Sequence, residues 1–491
     1  MKTKCGWIWR CGPRIKLIVM QISVQRLTLI TGITAFAGLL LLAMVYYLER
    51  IAHIDMAFQT FLILKSGSPE IQSGRFGAVA TQCWPWMAQA AELPLKWVLR
   101  LYSAGHVIWP ALLFGWALWL RQWKWALVLL LAVTGMATQT FYWLSEMPQG
   151  LVFLIAVMAW ISGQPTLRSV RWWQWPLWLF AAVTAFYFHP LVLYAAVFAC
   201  LFMIISPESG EKKWYSARWP VYTTFLAMLG ATALVKYKVL KLDWYDAAAM
   251  KRTAAFGQLW PNWLDIQSNR DLWAYLLSDY WFVPAALGIS LVYYVARRQW
   301  LKGGLTLLYP VVFVFAVNVP YSESTHQFYM ENLWLPLGLF AAMPLVMDVL
   351  PGWFGDRKTV VIAAFLALSG IYRIAGAHES WTARLNWERQ FLSTSGNAGG
   401  RLILTEKQIP MDTFKLSWAM TYEFLLLSAL DTPGNTRAIL VTGEPHKYDT
   451  LQCESRLLLG PFKNYPYEVL PKRYFMLNDT TCYTEMRLEE N

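Results

Sequence analysis

The sequence predicts an α-helical protein that crosses a membrane many times. Of its 491 residues, 57% are hydrophobic and only 15% are charged, and the mean hydropathy is +0.35. Soluble domains usually carry about 25% charged residues. The apolar residues form uncharged runs that are longer than ordinary core helices. Many of the 29 tryptophans stand at the ends of these runs, where indole rings fit the boundary between acyl chains and headgroups.

About eleven apolar stretches have a length near the 20 residues that one crossing requires. The run 175–205 exceeds one crossing and contains His189-Pro190, so we divide it there into two spans, because proline interrupts a helix. The predicted spans are 27–48, 95–120, 123–144, 147–162, the two halves of 175–205, 219–235, 281–296, 305–319, 333–350 and 360–375.

Lysine and arginine predict the orientation. The N-terminal tail is basic, and with this tail in the cytoplasm every second short loop is basic as well, as the positive-inside rule requires. The short loops around Glu146, His189 and 321–332 fall on the other side and contain neither residue type. The basic loops carry Arg121 and Lys124, Arg168 and Arg171, Lys212, Lys213 and Arg218, Arg297, Arg298 and Lys302, and Arg357 and Lys358.

The net charge of +12 is spread over these short loops rather than gathered in one patch. Such a distribution is typical of membrane topology and of contact with anionic lipids. We therefore expect anionic membrane lipids, and no nucleic acid, as partners.

Three regions follow from this reading. Residues 1–26 form a cytoplasmic basic tail, 27–377 a transmembrane domain, and 378–491 an external soluble α/β domain. The transmembrane domain has two large external loops, 49–94 and 236–280. In the first loop, apolar residues recur at helical spacing over stretches too short to cross, which predicts helices that lie in the membrane interface.

The C-terminal region is long enough for a small domain. Its pattern predicts a helix at 380–391, a strand at 401–405, a helix at 412–430, a strand at 437–442 and short strands near Leu457 and Tyr474. Cys453 and Cys482 share this region and can pair if the compartment is oxidising. No cysteine spacing indicates a zinc or iron–sulfur site.

Ionisable residues near the membrane boundary are the candidates for function, because charge close to hydrocarbon is costly. Asp55 stands shortly after the first span, Glu146 in a very short loop, and His189 at the break between two spans. Glu323, His326 and Glu331 share another short loop. The alternative is structural: carboxylates at loop ends often only face water or headgroups, and a histidine before proline can simply mark a break.

About eleven spans are combined with Asp55 just after the first span and with Arg75-Phe76-Gly77 followed by Gln82 and Trp84-Pro85. In this combination the chain resembles, over roughly 27–375, the GT-C superfamily of membrane glycosyltransferases. Members include lipid A aminoarabinose transferases and protein O-mannosyltransferases. Glu146 and His189-Pro190 resemble features near the family's sugar-donor cavity.

The resemblance implies transfer of a sugar from a polyprenyl-phosphate donor to a lipid, glycan or protein acceptor, at the non-cytoplasmic face of a bacterial inner membrane. Asp55 would be the catalytic base, with Glu146 as the next candidate. The implied substrate-binding residues are Arg75, Gln82, His189, Lys251, Arg252, Glu323 and His326. Headgroup binding explains the lysine and arginine residues equally well. No cofactor is predicted, and the sequence leaves open whether a divalent metal takes part.

The main alternative is a non-enzymatic membrane transporter or assembly factor with the same architecture. Transporters usually place substrate residues near the bilayer midplane, in broken helices of repeated units. Here the spans are mostly apolar and no internal repeat is visible. This pattern favours the transferase.

Overall fold

Helices dominate the structure, a computed structural model that describes residues 23–206, 215–240, 242, 244–395 and 400–486. Residues 1–22 of the predicted basic tail and the loop lysines Lys212 and Lys213 lie outside the described residues. The helices before residue 378 are α1 (Val24–Val45), α2 (Tyr47–Ile51), α3 (Ile54–Ser66), α4 (Val79–Ala90), α5 (Leu95–Trp119), α6 (Trp123–Gly135), α7 (Glu146–Ser162), α8 (Gln174–Phe188), α9 (Val192–Ile204), α10 (Trp219–Leu234), α11 (Trp244–Arg252), α12 (Ala255–Gln258), α13 (Gln267–Leu277), α14 (Phe282–Ala296), α15 (Trp300–Asn318), α16 (Gln327–Trp334), α17 (Pro336–Pro344) and α18 (Leu350–Gly376).

Four helical stretches within the described residues are long and apolar enough to cross a membrane. They are Val24–Val45, Leu95–Trp119, Trp300–Tyr321 and the long run Pro336–Thr394. A fifth is counted if α13 and α14, which meet at 80°, form one broken span. Shorter apolar helices include α6, α7 and α9. The structure is therefore that of a helical protein suited to a membrane, and eleven spans remain a prediction.

The predicted division of the run 175–205 agrees with the helix boundaries, because α8 ends at Phe188 and α9 begins at Val192. The predicted helix over 123–144 is wrong in its second half, since α6 ends at Gly135. Beyond it, the backbone N–H groups of residues 138–140 donate to the carboxylate of Glu331 instead of to helical carbonyls. A side chain has taken over the donors that would have extended the helix.

The long helical stretch Pro336–Thr394 ends in a polar segment, and this segment forms the first helix of the C-terminal domain. This helix, α19, carries two acidic and two basic residues and packs on the chain that follows, so we place it beyond the membrane-spanning part. The elements of the domain are α19 (Glu379–Thr394), β1 (Arg401–Thr405), α20 (Met411–Phe414), α21 (Met420–Ser428), β2 (Ala438–Thr442), β3 (Leu457–Leu458), β4 (Tyr465–Pro466) and β5 (Thr484–Glu485).

The C-terminal domain is a small α/β unit. Strand β1 lies between β2 and β5 and is parallel to both, while β3 and β4 form a separate antiparallel pair. Helix α21 provides the crossover between β1 and β2, as parallel strands require. Cys453 and Cys482 are paired in a disulfide.

Two of the expected elements in this domain are wrong. The helix predicted over 412–430 is divided into α20 and α21, because Lys415 adopts a positive φ of 62° that no α-helix contains. The strand predicted near Tyr474 is a turn, in which the N–H groups of Tyr474 and Phe475 both donate to the carbonyl oxygen of Pro471.

Helix α3, in loop 49–94, is buried against the C-terminal domain. Phe61 and Ile63 have no exposed surface, and the Phe61 ring lies 4.9 Å from Tyr422 and 5.1 Å from Tyr465, measured between ring centroids. We expected this helix to lie in the membrane interface. Its apolar face is instead covered by protein, because aromatic side chains of the C-terminal domain bury it.

Candidate functional site

The segment that carries Asp55 has an unusual backbone. Helix α3 begins at Ile54, whose φ is +37°. A β-branched residue at positive φ is rare and costs on the order of 1–3 kcal/mol. The Ile54 N–H donates to Oε1 of Glu423 over 2.8 Å. Since Glu423 belongs to α21, the C-terminal domain holds the backbone directly beside Asp55.

Glu423 is itself fixed by a buried ionic cluster. Nε of Arg384 donates to Oε2 of Glu423 over 3.0 Å, and the Nη2 group of Arg384 donates to the same carboxylate. Glu388, on the same helix as Arg384, lies 3.6 Å from the guanidinium. Burial and the neighbouring Glu423 hold the pKa of Glu388 well above its usual range. One cation is thus shared by two carboxyl groups, and the surroundings of Glu388 favour its protonated form.

Asp55 itself has a different environment. No described residue forms a hydrogen bond or an ion pair with its side chain, which is exposed. Protein nevertheless surrounds the carboxyl group. Burial, and next the nearby Glu146, raise the pKa of Asp55 to about 7, although Arg75 acts in the opposite direction. These properties fit a carboxyl group inside a recess that water can enter, because an open surface would not desolvate it.

Arg75 and Glu146 form the ion pair that acts on Asp55. Nη1 of Arg75 lies 3.1 Å from Oε2 of Glu146, and both side chains are largely buried at 14% and 18% exposure. Glu146 is the first residue of α7, so its carboxylate stands at the positive end of that helix. Arg75 precedes a short 3₁₀ turn, Phe76–Ala78. The structure therefore brings together three of the residues selected from the sequence.

The turn after Arg75 packs tightly against the end of α8. A Cβ atom on Gly77 would lie 2.6 Å from the Phe188 ring, so only glycine fits at this position. The Phe76 ring stacks on Tyr187 at 5.2 Å. This contact places the turn beside His189, which is buried and whose Nδ1 accepts the Leu191 N–H over 3.2 Å.

Lys236 was not selected from the sequence, yet it lies in the same area. Its Nζ is 2.6 Å from Oδ2 of Asp246 and 5.2 Å from the centroid of the Tyr187 ring. Its position inside a loop rich in lysine concealed it, because only the fold shows which of those lysines is buried.

The remaining residues selected from the sequence lie elsewhere or are already engaged. The Gln82 side-chain amide accepts the Glu70 N–H through its oxygen at 2.8 Å and donates to the Glu70 carbonyl through its nitrogen at 2.9 Å, so Gln82 holds together the middle of loop 49–94. Lys251 and Arg252 end α11 and are exposed, and Arg252 donates to the Tyr321 hydroxyl.

Glu323 and His326 occupy the short connection before α16. Glu323 is exposed, whereas His326 is half-buried and stacks on Phe328 at 5.5 Å. Nothing in the described structure brings Glu323 to Asp55. His326 lines a cavity beneath the C-terminal domain.

The sequence singles out Glu331 with Glu323 and His326 but assigns it no role in the site, although it is the most heavily hydrogen-bonded carboxylate of this region. It has no exposed surface and accepts six hydrogen bonds of 2.5 to 3.0 Å. The donors are the Thr138, Gln139 and Thr140 N–H groups, the Thr138 and Thr140 hydroxyls, and the Tyr280 hydroxyl.

Arg50 is a buried cation beside a narrow apolar cavity. It is 1% exposed, donates to Ser103 and to the Phe141 carbonyl, and has no carboxylate within ion-pair distance among the described residues. The cavity has a volume of about 70 Å³ and lies between α1, α5, α6 and α7. The polar residues of its lining are Arg50, His106, Thr140, Ser145 and Gln149, and the rest of the lining is apolar.

The function of this arrangement can be inferred only from its geometry, because the comparisons with known proteins found no match. No protein-family model, no curated protein and no solved structure matches the chain. Within the described residues, no group of three or more histidine, cysteine, aspartate or glutamate side chains could hold a metal ion.

Proposed function

We propose that this protein is an integral membrane glycosyltransferase that moves a sugar from a polyprenyl-phosphate donor to an acceptor hydroxyl. The observation that carries the proposal is the environment of Asp55. A carboxyl group that titrates near pH 7 and has no protein hydrogen-bond partner is suited to accept a proton from a substrate, because a general base works best when its pKa is close to the working pH.

In the proposed reaction, the acceptor hydroxyl transfers its proton to Asp55 while its oxygen bonds to the anomeric carbon of the sugar. The bond between that carbon and the phosphate oxygen breaks, and the phosphate leaves with the bonding electrons on its polyprenyl carrier. The anomeric carbon becomes electron-poor in the transition state. A nearby cation stabilises the departing phosphate.

Two arginine residues are suited to hold the phosphate. Arg75 lies close enough to Asp55 for its charge to lower the pKa of that carboxyl group. Arg50 is a buried guanidinium without a carboxylate partner in the described part of the chain. An unpaired buried cation is costly, and an anionic ligand would offset that cost. The narrow cavity beside Arg50 has room for only the first few carbons of an isoprenoid chain, on the order of five water-sized groups.

The proposal includes a topology. The chain crosses a bacterial inner membrane about eleven times, with its N-terminus in the cytoplasm and the C-terminal domain and loop 49–94 outside. Cysteine placed at the exposed position Ser68 should react with an impermeant reagent in intact cells. Cysteine at the exposed position Ser169 should react only after permeabilisation. The opposite result would overturn the orientation.

The function is tested with purified protein in liposomes supplied with a polyprenyl-phosphate-linked sugar pool. Saturable binding of the polyprenyl phosphate and appearance of a glycosylated product support the transferase. Wild-type protein that binds no polyprenyl phosphate would overturn it and favour the non-enzymatic transporter or assembly factor.

A further inference from the structure

A second cavity lies where the membrane domain meets the C-terminal domain. We call it the junction cavity. It has a volume of about 470 Å³, within the range of small-molecule sites. Its walls come from the segment before α3, the segment after α6, helix α13, the start of α16, helix α19 and the turn between α20 and α21. Six separate parts of the chain therefore converge on it.

The lining of the junction cavity has one sign of charge. Arg384 and Lys415 are cationic, His53 and His326 are the ionisable neutral groups, and no aspartate or glutamate lines the cavity. Arg384 is already shared between Glu423 and Glu388. The uncommitted charge therefore comes from Lys415, whose exposed side chain has no carboxylate partner in the described part of the chain.

One of the residues that line this cavity has an unpartnered polar atom. His53 is 5% exposed, and its Nε2 has no hydrogen-bond partner among the described residues, whereas its Nδ1 lies 3.8 Å from Glu423. Burial, and next the charge of Arg384, hold the pKa of His53 well below its usual range. Burial, and next the charge of Lys415, lower the pKa of His326. A buried polar atom without a partner costs stability, which a ligand could recover.

Aromatic rings form the rest of the recognition surface. Trp381 and Phe328 line the junction cavity with their ring centroids 5.5 Å apart. Lys415 stands at the break between α20 and α21, where its φ of 62° costs backbone strain. Strain retained at a residue that presents a charge to a cavity is typical of ligand-binding positions.

We propose that the junction cavity binds a phosphate group on the acceptor molecule, with Lys415 and the free Nε2 of His53 as its contacts and Trp381 beside the attached group. Naming the ligand as the acceptor rests on the proposed function, because the cavity begins at His53, two residues before Asp55. The phosphate chemistry rests only on the cavity. Two sources carry it: a soluble phosphate ester and a phospholipid headgroup.

The test measures binding without any sugar donor. Purified protein in phosphatidylcholine nanodiscs is titrated with inorganic phosphate in one arm. In the other arm, nanodiscs with increasing phosphatidic acid are compared with phosphatidylcholine alone. Saturable binding in the first arm identifies a soluble source, and binding in the second arm a headgroup. Saturation in neither arm, up to a Kd on the order of 1 mM, would overturn the proposal.

Lys415→Gln should weaken the binding roughly tenfold, because it removes a charge-assisted hydrogen bond. The matched control is Lys407→Gln, an exposed lysine of the same domain outside the cavity, which should bind like the wild type. His53→Phe provides a second variant, and its melting temperature shows whether it folds. Equal binding by wild type and Lys415→Gln would contradict the site. Asp55→Asn should retain this binding, so failure of transfer and failure of the phosphate site are separable.

Discussion

Asp55 and Glu331 are two carboxylates of one membrane domain, and the protein treats them in opposite ways. Glu331 is completely buried and accepts six hydrogen bonds, from Thr138, Gln139, Thr140 and Tyr280. Asp55 has water-accessible surface, receives no hydrogen bond from the described residues, and has a pKa raised to about 7.

The difference matches the roles that we propose, a structural one for Glu331 and a catalytic one for Asp55. Glu331 ties the segment after α6 to α16 and has no lone pair left for a ligand. Asp55 has its lone pairs free, and its proton is balanced between bound and released near neutral pH. Loop-end position, which is all that the sequence shows, does not distinguish the two; hydrogen bonding does.

The largest expected effect is on the sugar transfer that we propose for Asp55. Asp55→Asn keeps the size of the side chain but cannot accept a proton, so transfer should fall by about 10²–10⁴-fold. Product formation in liposomes measures it, with equal amounts of inserted protein. The control is Asp412→Asn, an exposed aspartate of the C-terminal domain. If Asp55→Asn transfers sugar as fast as the wild type, Asp55 is not the base and Glu146 becomes the candidate.

Glu331 should affect stability. Glu331→Gln keeps an acceptor oxygen but loses the charge and presents an NH₂ group to donors, so the free energy of unfolding should fall by about 2–4 kcal/mol. Denaturant unfolding of the purified protein measures this. Glu323→Gln, at an exposed position in the connection before α16, should change it by less than about 0.5 kcal/mol. A stable Glu331→Gln protein without activity would mean that Glu331, too, is functional.

The pH dependence of transfer tests the pKa of Asp55. Below about pH 7 the rate should fall about tenfold per pH unit, because only the ionised form accepts a proton. The effect on stability has the opposite sign. Since the folded pKa lies above the unfolded value of 3.8, ionisation of Asp55 costs stability as the pH rises from about 4 through 7. Asp55→Asn should remove this decline. A rate that is flat from pH 5 to 8 would contradict the assignment.

The sequence correctly predicted several elements that local periodicity and composition determine. The break at His189, strands β1 and β2 and the helix at 380–391 are present in the structure. Long-range partners were not predictable. Glu331 ends the predicted span at 123–144 from about 190 residues away in sequence, and α21 covers a helix that has the pattern of a membrane-interface helix. Local pattern shows that a face is apolar, but not whether lipid or protein covers it.

The same limit applies to the candidate site. Asp55, Glu146 and Arg75 were selected and lie close enough to affect one another. No local pattern connects Asp55 with Glu423, because 368 positions separate them. Arg50 was overlooked because an arginine at the end of an apolar run usually faces headgroups.

The smallest effects should come from Glu388 and Glu423, the two carboxyl groups of the C-terminal domain that support Asp55. Variants of these residues test whether the two differ as Asp55 and Glu331 do. Burial and the neighbouring Glu423 hold the pKa of Glu388 well above its usual range, which favours its neutral form. Glu388→Gln should therefore cost less than about 1 kcal/mol of unfolding free energy.

Glu423→Gln removes the charge that pairs with Arg384 and weakens the bond to the strained Ile54 backbone. Glu388 can then ionise and replace the lost charge, which limits the cost to about 1–3 kcal/mol. Glu423→Gln should also lower kcat without changing KM, since it loosens the position of Asp55 rather than a substrate contact. Equal costs for both variants would show that Glu388 is charged and that the two carboxyl groups share Arg384 evenly.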